Sequence, residues 1–271
     1  MTFPAPRRLL ALLPLLAALL APLASPAQTA PKRTDPGARP DAMLWVGNSF
    51  FYYNNSMHGH FGQLANSLGE KPAVRGTSVT ISGSGLDWHD MESLVRPNGL
   101  GRYSFVGDNE IRFNPPGRQY DTVVMMDCSQ CPIHPQLKDA FVTFAKKDSE
   151  IIRASEMRPV LFMSWAYADK PEMTESLAEA YTTVGNANDA LVIPAGLAFA
   201  KVRKVQPELN LYAPDKRHPS PAGTYLATCV TLAALTGRSP VGNSYTIGLD
   251  AETTQLLQKA AWDTVQEYYG R

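Results

Sequence analysis

The sequence predicts a three-layer α/β sandwich, in which helices cover both faces of a central parallel sheet. Short apolar runs alternate with segments of helical periodicity along the 271-residue chain. The clearest of these runs, Thr122–Met126, is almost wholly apolar, as expected for a strand that is covered on both faces. Helical segments of about 10–15 residues separate the runs, and connections of this kind join parallel strands through right-handed crossovers.

In the first half of the chain, each element has its own local signal. The short apolar run Met43–Val46 ends at Gly47-Asn48-Ser49 and predicts a buried strand. Met57–Leu68 carries apolar residues near the spacing of a helix. Ala73–Ile81 is rich in Val, Thr and Ile, which favour strands. Within Tyr103–Phe113, a Gly-Asp-Asn sequence separates two apolar runs and predicts an inserted β-hairpin.

The second half of the chain repeats a unit of one strand and one helix. Leu137–Arg153, which follows the apolar strand, has the amphipathic pattern of a helix. Further strands are predicted at Pro159–Trp165 and Ala190–Pro194, and further helices at Glu172–Val184, Leu197–Val205, Pro221–Leu235 and Ala251–Tyr268. In an open parallel sheet, ligands bind beyond the carboxyl ends of the strands, so residues that directly follow a strand are the first candidates for chemistry.

The N-terminal segment has the composition of a targeting signal. In residues 1–27, two arginines precede a Leu/Ala run that ends among small residues, which predicts a secretory signal peptide and a periplasmic or secreted protein. A membrane anchor is the alternative, but Pro14 and Pro22 interrupt the apolar run. Residues 28–41 are polar and Pro-rich, which predicts a disordered tether. Residues 42–271 then form a single domain that does not bind the membrane after cleavage.

Composition excludes several classes of protein. The 25 basic residues balance the 25 acidic ones and form no basic stripe, so no nucleic-acid partner is expected. The sequence has no phosphate-binding P-loop and no dinucleotide glycine fingerprint. His58 and His60 lack the further ligands of a metal site, so neither a metal nor another cofactor is expected. The oligomeric state leaves no signal in the sequence.

The three cysteines are Cys128, Cys131 and Cys229. The first two form a Cys-x-x-Cys sequence, but Pro132 and Pro135 follow and delay any helix. A thioredoxin-like redox motif needs a strand that leads directly into a helix, so that interpretation is disfavoured. A local disulfide and a pair of plain loop thiols both remain open.

Ser49 follows the first predicted strand directly and precedes a helical segment. A serine hydroxyl is a weak nucleophile until a base removes its proton. Backbone N–H groups at the start of the following segment could face a developing oxyanion. A small polar residue at a strand end is also a common turn or cap, so Ser49 gains meaning only with a partner base.

Asp215 and His218 supply a candidate base and its orienting carboxylate. They lie three residues apart in a short loop bounded by Pro214 and Pro219. Such a loop can place the carboxylate on one imidazole nitrogen and leave the other nitrogen free to reach a serine. The alternative is an aspartate that caps a turn beside an exposed histidine.

Taken together, these residues resemble the SGNH (GDSL-type) hydrolases, over about residues 42–240. The family's first block appears as Gly47-Asn48-Ser49, and its last block begins at Asp215. The resemblance is closest to a bacterial branch whose first block reads Gly-Asn-Ser-Phe, because His218–Leu226 follows that branch's last block closely. The resemblance implies a flavodoxin-like SGNH fold and a serine esterase, with Ser49 as nucleophile, His218 as base and Asp215 as its orienting carboxylate.

The resemblance also implies an oxyanion site with three hydrogen-bond donors. The backbone N–H of Ser49 is the first, and that of Gly83 is the second, with Gly85 as the alternative. The family's third donor is an asparagine side chain, and here the corresponding Gly-x-Asn-Asp sequence is absent. Gln130 carries an amide that could do the same work. The alternatives for this third donor are Ser129, Asn48 and Asn54.

The implied activity is the removal of small acyl groups, acetyl above all, from a carbohydrate by way of an acyl-enzyme. A short-chain lipid or aryl esterase is one alternative. A catalytically silent carbohydrate-binding protein on the same fold is the other, and the altered third block motivates it. The expected partner is a small-molecule or glycan ester substrate, and no substrate-binding residue is identified beyond the catalytic set.

Overall fold

The computed structural model describes Met1 and residues 29–271, so the predicted signal peptide lies, but for its first residue, outside the described residues. Five parallel strands form the central sheet: β1 (Ala42–Gly47), β2 (Arg75–Thr80), β5 (Thr122–Met125), β6 (Arg158–Phe162) and β7 (Leu191–Ile193). Their order in the sheet is β2-β1-β5-β6-β7. The separate hairpin consists of β3 (Tyr103–Gly107) and β4 (Glu110–Phe113), where the sequence predicts it.

The helices also lie where the periodicity predicts them, with two short additions. They are α1 (Ser49–Tyr52), α2 (Met57–Asn66), α3 (Met91–Val95), α4 (Lys138–Ala154), α5 (Met173–Ala187), α6 (Ala195–Val205), α7 (Pro221–Thr236) and α8 (Ala251–Tyr269). Short 3₁₀ segments occur at Leu86–Trp88 and Cys131–Ile133. The predicted three-layer α/β fold is therefore confirmed. No helix among the described residues is long and apolar enough to cross a membrane.

The order of the strands decides which helices share a layer. The chain runs outward from β1 to β2 through α2, and in the opposite direction from β5 to β7 through α4 and α5. Because crossovers are right-handed, these two sets of helices cover opposite faces of the sheet. α7 packs against α2, α6 and α8, and all but its first and last residues are buried. Because α7 is buried in this way, its sequence contains no charged residue.

Residues 29–41, which the sequence predicts to be a disordered tether, form neither helix nor strand. Several of them hydrogen-bond to other parts of the chain, and the first of them bond to α5. The Thr29 backbone N–H donates to Glu179 (3.0 Å), and the Asn186 amide donates to the Ala30 carbonyl (2.9 Å). Further along, Arg39 donates to the Pro72 carbonyl (2.7 Å). Composition shows that a segment lacks apolar residues, but not that a neighbouring helix offers it polar partners.

Two carboxyl groups are buried beneath the carboxyl edge of the sheet. Burial raises the pKa of Asp148, on α4, to about 7, and that of Asp127, which follows β5, to about 6. One carboxyl oxygen of Asp148 has no hydrogen-bond partner among the described residues. The charge of Lys147 lowers the pKa of Asp148, but burial outweighs it.

Asp148→Asn is expected to stabilise the protein at alkaline pH. The folded state holds the Asp148 proton up to about pH 7, whereas the unfolded chain releases it near pH 4, so stability falls as pH rises between the two values. At pH 8 the gain is at most about 4 kcal/mol, and it vanishes near pH 4. Thermal unfolding at pH 4.5 and pH 8 measures the difference. Asp139→Asn, at an exposed position of the same helix, is the control. An equal gain for Asp148→Asn at both pH values would contradict the account.

Candidate active site

Four segments meet at the carboxyl edge of the sheet, on the two sides of β1. Ser49 is the first residue of α1 and follows β1 after a single residue, Asn48. The other segments are the loop after β2 (residues 81–85), the segment after β5 (residues 127–130) and the loop 212–219 that precedes α7. Ser49 is 6% exposed, so only a small part of its surface reaches solvent.

Ser49, His218 and Asp215 form one chain of hydrogen bonds. His218 Nε2 lies 2.7 Å from Ser49 Oγ, and His218 Nδ1 contacts one carboxylate oxygen of Asp215. The other Asp215 oxygen accepts the backbone N–H groups of Arg217 and His218, each at 3.0 Å. The structure therefore brings together the three residues that the sequence singled out, although 166 residues separate Ser49 from Asp215 in the chain.

The charge state of Asp215 fixes the chemistry of His218. Partial burial raises the pKa of Asp215, but the hydrogen bonds from the His218 ring and from two backbone N–H groups outweigh it and lower the pKa to about 2. Asp215 is thus a carboxylate at neutral pH and accepts the proton on His218 Nδ1. In the neutral imidazole, Nε2 is then the unprotonated nitrogen that faces the Ser49 hydroxyl, as a general base requires.

The loop that carries Asp215 and His218 is held at several points. Tyr212 and Pro219 pair as an antiparallel bridge, and the Ala213 N–H donates to the His218 carbonyl (2.8 Å). From the segment after β6, Trp165 Nε1 donates to the Arg217 carbonyl (2.9 Å). These bonds fix the backbone on both sides of His218, so the imidazole has a defined position before any substrate binds.

Aromatic rings confine the imidazole of His218. Tyr53 stacks on it with ring centroids 4.0 Å apart and planes 6° apart, and Phe50 contacts it edge-on at 5.4 Å. Phe50 in turn stacks on Trp165 at 4.7 Å. The sequence did not point to Tyr53 or Phe50, whose only signal is that they lie within four residues of Ser49. The stack places an aromatic face where positive charge forms on His218.

The two glycines of the loop after β2, Gly83 and Gly85, differ in backbone conformation and in packing. Gly83 has a φ of 74°, and a Cβ there would meet nothing within 4 Å, so its left-handed backbone is the reason for glycine. Gly85 has an ordinary φ, and a Cβ there would lie 2.9 Å from a carboxyl oxygen of Asp127. Among the described residues, nothing accepts the backbone N–H of Ser49 or of Gly83. Both groups are thus available as oxyanion donors. The backbone N–H of Gly85 has no acceptor among the described residues either, so Gly83 as second donor, with Gly85 as the alternative, stays a prediction.

Two of the alternatives for the third oxyanion donor are already engaged. Asn48 donates both amide hydrogens to backbone carbonyls, and Asn54 donates to the Pro219 carbonyl (2.9 Å) and the Thr224 hydroxyl (2.8 Å). The Ser129 hydroxyl pairs with that of Tyr167 at 2.7 Å. Gln130 is exposed, and its side-chain amide has no partner among the described residues. The structure shows no contact between Gln130 and Ser49, so Gln130 as third donor stays a prediction.

Cys128 and Cys131 form a disulfide, which resolves the two options that the sequence left open, and Cys229 is a buried free thiol. The disulfide encloses Ser129 and Gln130, so it narrows the range of conformations open to this segment. Asp127 and the two sulfur atoms are the one group among residues 29–271 with three metal-capable atoms close together. A disulfide sulfur is not a thiolate ligand, so these residues do not fit a metal ion.

The histidines near α2 have partners within the protein. His58 Nδ1 lies 2.6 Å from the Ser56 hydroxyl, and His60 Nδ1 lies 2.6 Å from the Tyr245 hydroxyl. The other ring nitrogen of His60 contacts the Asn54 carbonyl. These bonds tie α2 to the chain beyond α7 and to the segment that follows Ser49, which is a structural role.

Comparisons with known proteins bear on the fold. The sequence matches no family profile and no curated protein. Among solved structures, a protein described as an SGNH hydrolase from Slackia heliotrinireducens is 23% identical with a TM-score of 0.53, and the match covers 72% of this chain and 98% of that one. A DUF4886 family protein from Bacteroides uniformis is 18% identical with a TM-score of 0.57, covering 84% and 95%. A lipolytic protein of the G-D-S-L family from Veillonella parvula is 12% identical with a TM-score of 0.51, covering 72% and 98%.

These likenesses show that the chain has the fold of the SGNH hydrolases, which the resemblance in the sequence predicted. Each of the three solved chains is covered almost completely, so the match extends over their whole domain. At these identities the likeness concerns the fold, and the narrower assignment to a branch with a Gly-Asn-Ser-Phe first block stays a prediction.

Proposed function

We propose that the protein is an extracytoplasmic serine esterase that removes small acyl groups, acetyl above all, from a carbohydrate. The observation that carries the hydrolase is the hydrogen-bonded chain from Asp215 through His218 to Ser49 Oγ, with the 2.7 Å contact at its reactive end. A buried serine, an oriented imidazole and a carboxylate with a pKa of about 2 are the parts of a nucleophile-activating triad. Free backbone N–H groups at Ser49 and Gly83 supply the complementary oxyanion donors.

In the proposed reaction, Ser49 Oγ attacks the ester carbonyl carbon while His218 Nε2 takes the hydroxyl proton. The carbonyl oxygen becomes the oxyanion and accepts hydrogen bonds from Ser49 and Gly83. His218 then gives its proton to the leaving alcohol oxygen, and the acyl group stays on Ser49. A water molecule then attacks the acyl carbon while His218 takes one of its protons. His218 gives that proton to Ser49 Oγ, and the acid is released. Asp215 stabilises the imidazolium at each step.

The carbohydrate part of the proposal has its own support. Trp88 is 59% exposed and lies just beyond the loop that carries Gly83. Tyr52, also exposed, donates from its hydroxyl to Ser82 of the same loop at 3.2 Å. Exposed aromatic rings suit the apolar faces of sugar rings, because one side of the sugar packs against the aromatic ring while its hydroxyl groups stay in water. The extracytoplasmic location follows from the composition of residues 1–27.

Hydrolysis of esters that differ only in their acyl group tests this proposal. The mature protein is assayed with p-nitrophenyl acetate and p-nitrophenyl butyrate, and with acetylated xylan as a polymeric substrate. We expect release of acetate from both acetyl substrates, and a kcat/KM for the acetate ester above that for the butyrate ester. A preference for butyrate would favour a short-chain lipid or aryl esterase. Inactivity on all three substrates would favour a silent binding protein and contradict the proposal.

A further inference from the structure

Asn48, the residue before the nucleophile, makes three side-chain hydrogen bonds in a buried place. It is 2% exposed. Its amide nitrogen donates to the Ser84 carbonyl at 3.0 Å and to the Asp127 carbonyl at 3.1 Å. Its amide oxygen accepts the Phe50 N–H at 3.2 Å, which caps α1. One side chain thus contacts three separate segments of the chain.

Those three segments are the ones that carry the candidate oxyanion donors. Ser84 follows Gly83 in the loop after β2, Asp127 begins the segment that leads to Gln130 after β5, and Phe50 follows Ser49 on α1. In the sheet, β1 lies between β2 and β5, so Asn48 at its carboxyl end reaches both neighbours at once. Ser84 is held a second time, because its hydroxyl donates to the Gly47 carbonyl at 3.0 Å.

We propose that Asn48 is the positioning residue of the oxyanion site, which sets the spacing between the N–H of Ser49 and the donors from the two neighbouring segments. This inference rests on the proposed esterase function. Asn48 does not touch the substrate, because both of its amide hydrogens are already donated. It acts through the backbone of the residues that do.

The chemistry of the two acceptors explains why the side chain is an amide. Both are carbonyl oxygens, so position 48 must donate two hydrogen bonds, which an amide does and a carboxylate cannot do. A carboxylate there would face two carbonyl oxygens in a buried place. The nearest ionisable groups are Asp127, whose pKa is itself raised by burial, Asp87 beside it, His89 beyond Ser84, and His218 across Ser49. Asp127 and Asp87 would disfavour a further negative charge.

Asn48→Asp tests the proposal with almost no change in shape. The introduced carboxyl group offers one donor when it is protonated and none when it is ionised, so the defect grows as pH rises. We expect kcat for p-nitrophenyl acetate to fall about 10- to 100-fold at pH 5.5 and about 10²- to 10³-fold at pH 8, with KM within threefold of wild type. Asn48→Ser, which is neutral, is expected to lose kcat by the same factor at both pH values.

Asn66→Asp is the matched control. Asn66, on α2, also accepts a backbone N–H, from Val74 at 2.8 Å, and donates to the same residue's carbonyl at 3.5 Å, away from the nucleophile. It is expected to keep wild-type kcat at both pH values. Wild-type kcat in Asn48→Asp at pH 8 would overturn the proposal. A kcat defect of the same size in Asn66→Asp, or one that matches the folded fraction measured by circular dichroism, would overturn it as well.

A second readout separates failure of this inference from failure of the proposed function. Inactivation by a fluorophosphonate, which phosphonylates activated serines, needs no knowledge of the substrate. If the wild type does not react at Ser49, the esterase proposal itself fails. If the wild type reacts and Asn48→Asp reacts equally fast at pH 8, the esterase stands and the positioning role of Asn48 is wrong. We expect a rate at least tenfold slower for Asn48→Asp, and a still folded Asn48→Ser that is equally slow at either pH.

Discussion

Ser49→Ala is expected to lower kcat/KM for p-nitrophenyl acetate at least about 10³-fold, because without Oγ no acyl-enzyme can form. Residual hydrolysis would come from the oxyanion donors and from binding alone. The fold should not change, since the contact with His218 is the hydrogen bond that Ser49 Oγ makes among the described residues. Initial rates over a range of substrate concentrations, with thermal unfolding measured beside them, give both quantities.

The control for this variant is Ser56→Ala. Ser56 lies seven residues further along, and its hydroxyl pairs with His58 rather than with the triad. It is expected to keep the wild-type kcat/KM. If Ser49→Ala retained more than about a tenth of the wild-type rate in a folded protein, Ser49 would not be the nucleophile.

Asp215→Asn is expected to lower kcat about 10²- to 10⁴-fold with little change in KM. The carboxylate accepts the proton on His218 Nδ1, whereas an asparagine amide can instead donate to Nδ1 and leave the proton on Nε2. In that tautomer His218 cannot take the proton of Ser49. Because the pKa of Asp215 is about 2, its own ionisation does not limit the wild type between pH 5 and pH 9.

A pH series of kcat/KM for the wild type, Asp215→Asn and Asp169→Asn distinguishes two explanations of a loss of activity. One is that His218 loses its orienting carboxylate, and the other is that the loop loses a negative charge. Asp169 is exposed and lies 3.9 Å from the Lys216 ammonium, so it probes the charge of the loop without touching His218. Asp169→Asn should stay within about threefold of wild type. An Asp215→Asn profile with the wild-type height and shape would show that Asp215 only caps the turn.

Much of the fold was predictable because its signals are local. The apolar run Thr122–Met126 and the spacing in Leu137–Arg153 each need one stretch of chain to be recognised. The helices α1 and α3 were missed because four or five residues are too few to show a period. The contacts of Thr29 and Ala30 with α5 could not be predicted for another reason, since they depend on polar groups far away in the sequence.

The same distinction between local signals and contacts of distant segments applies to the candidate site. Asp215 and His218 are close in the sequence, so the loop alone suggested their pairing beside the alternative of a turn-capping aspartate. The position of Ser49 follows from the edge of a parallel sheet. The stack of Tyr53 on His218 and the three hydrogen bonds of Asn48 could not be predicted, because each needs two or three segments in their folded places. Gln130 was placed by correspondence with an asparagine that this chain lacks.

The most direct test of the central claim is to locate the site of covalent modification by a fluorophosphonate. The mature protein is treated at pH 7.5, digested, and analysed by peptide mass spectrometry, with Ser49→Ala treated in parallel. We predict a single adduct on the peptide that contains Ser49, formed in the wild type and absent from Ser49→Ala. A wild-type protein that stays unmodified, or that carries its adduct on another serine, would contradict the assignment of Ser49, His218 and Asp215 as a catalytic triad.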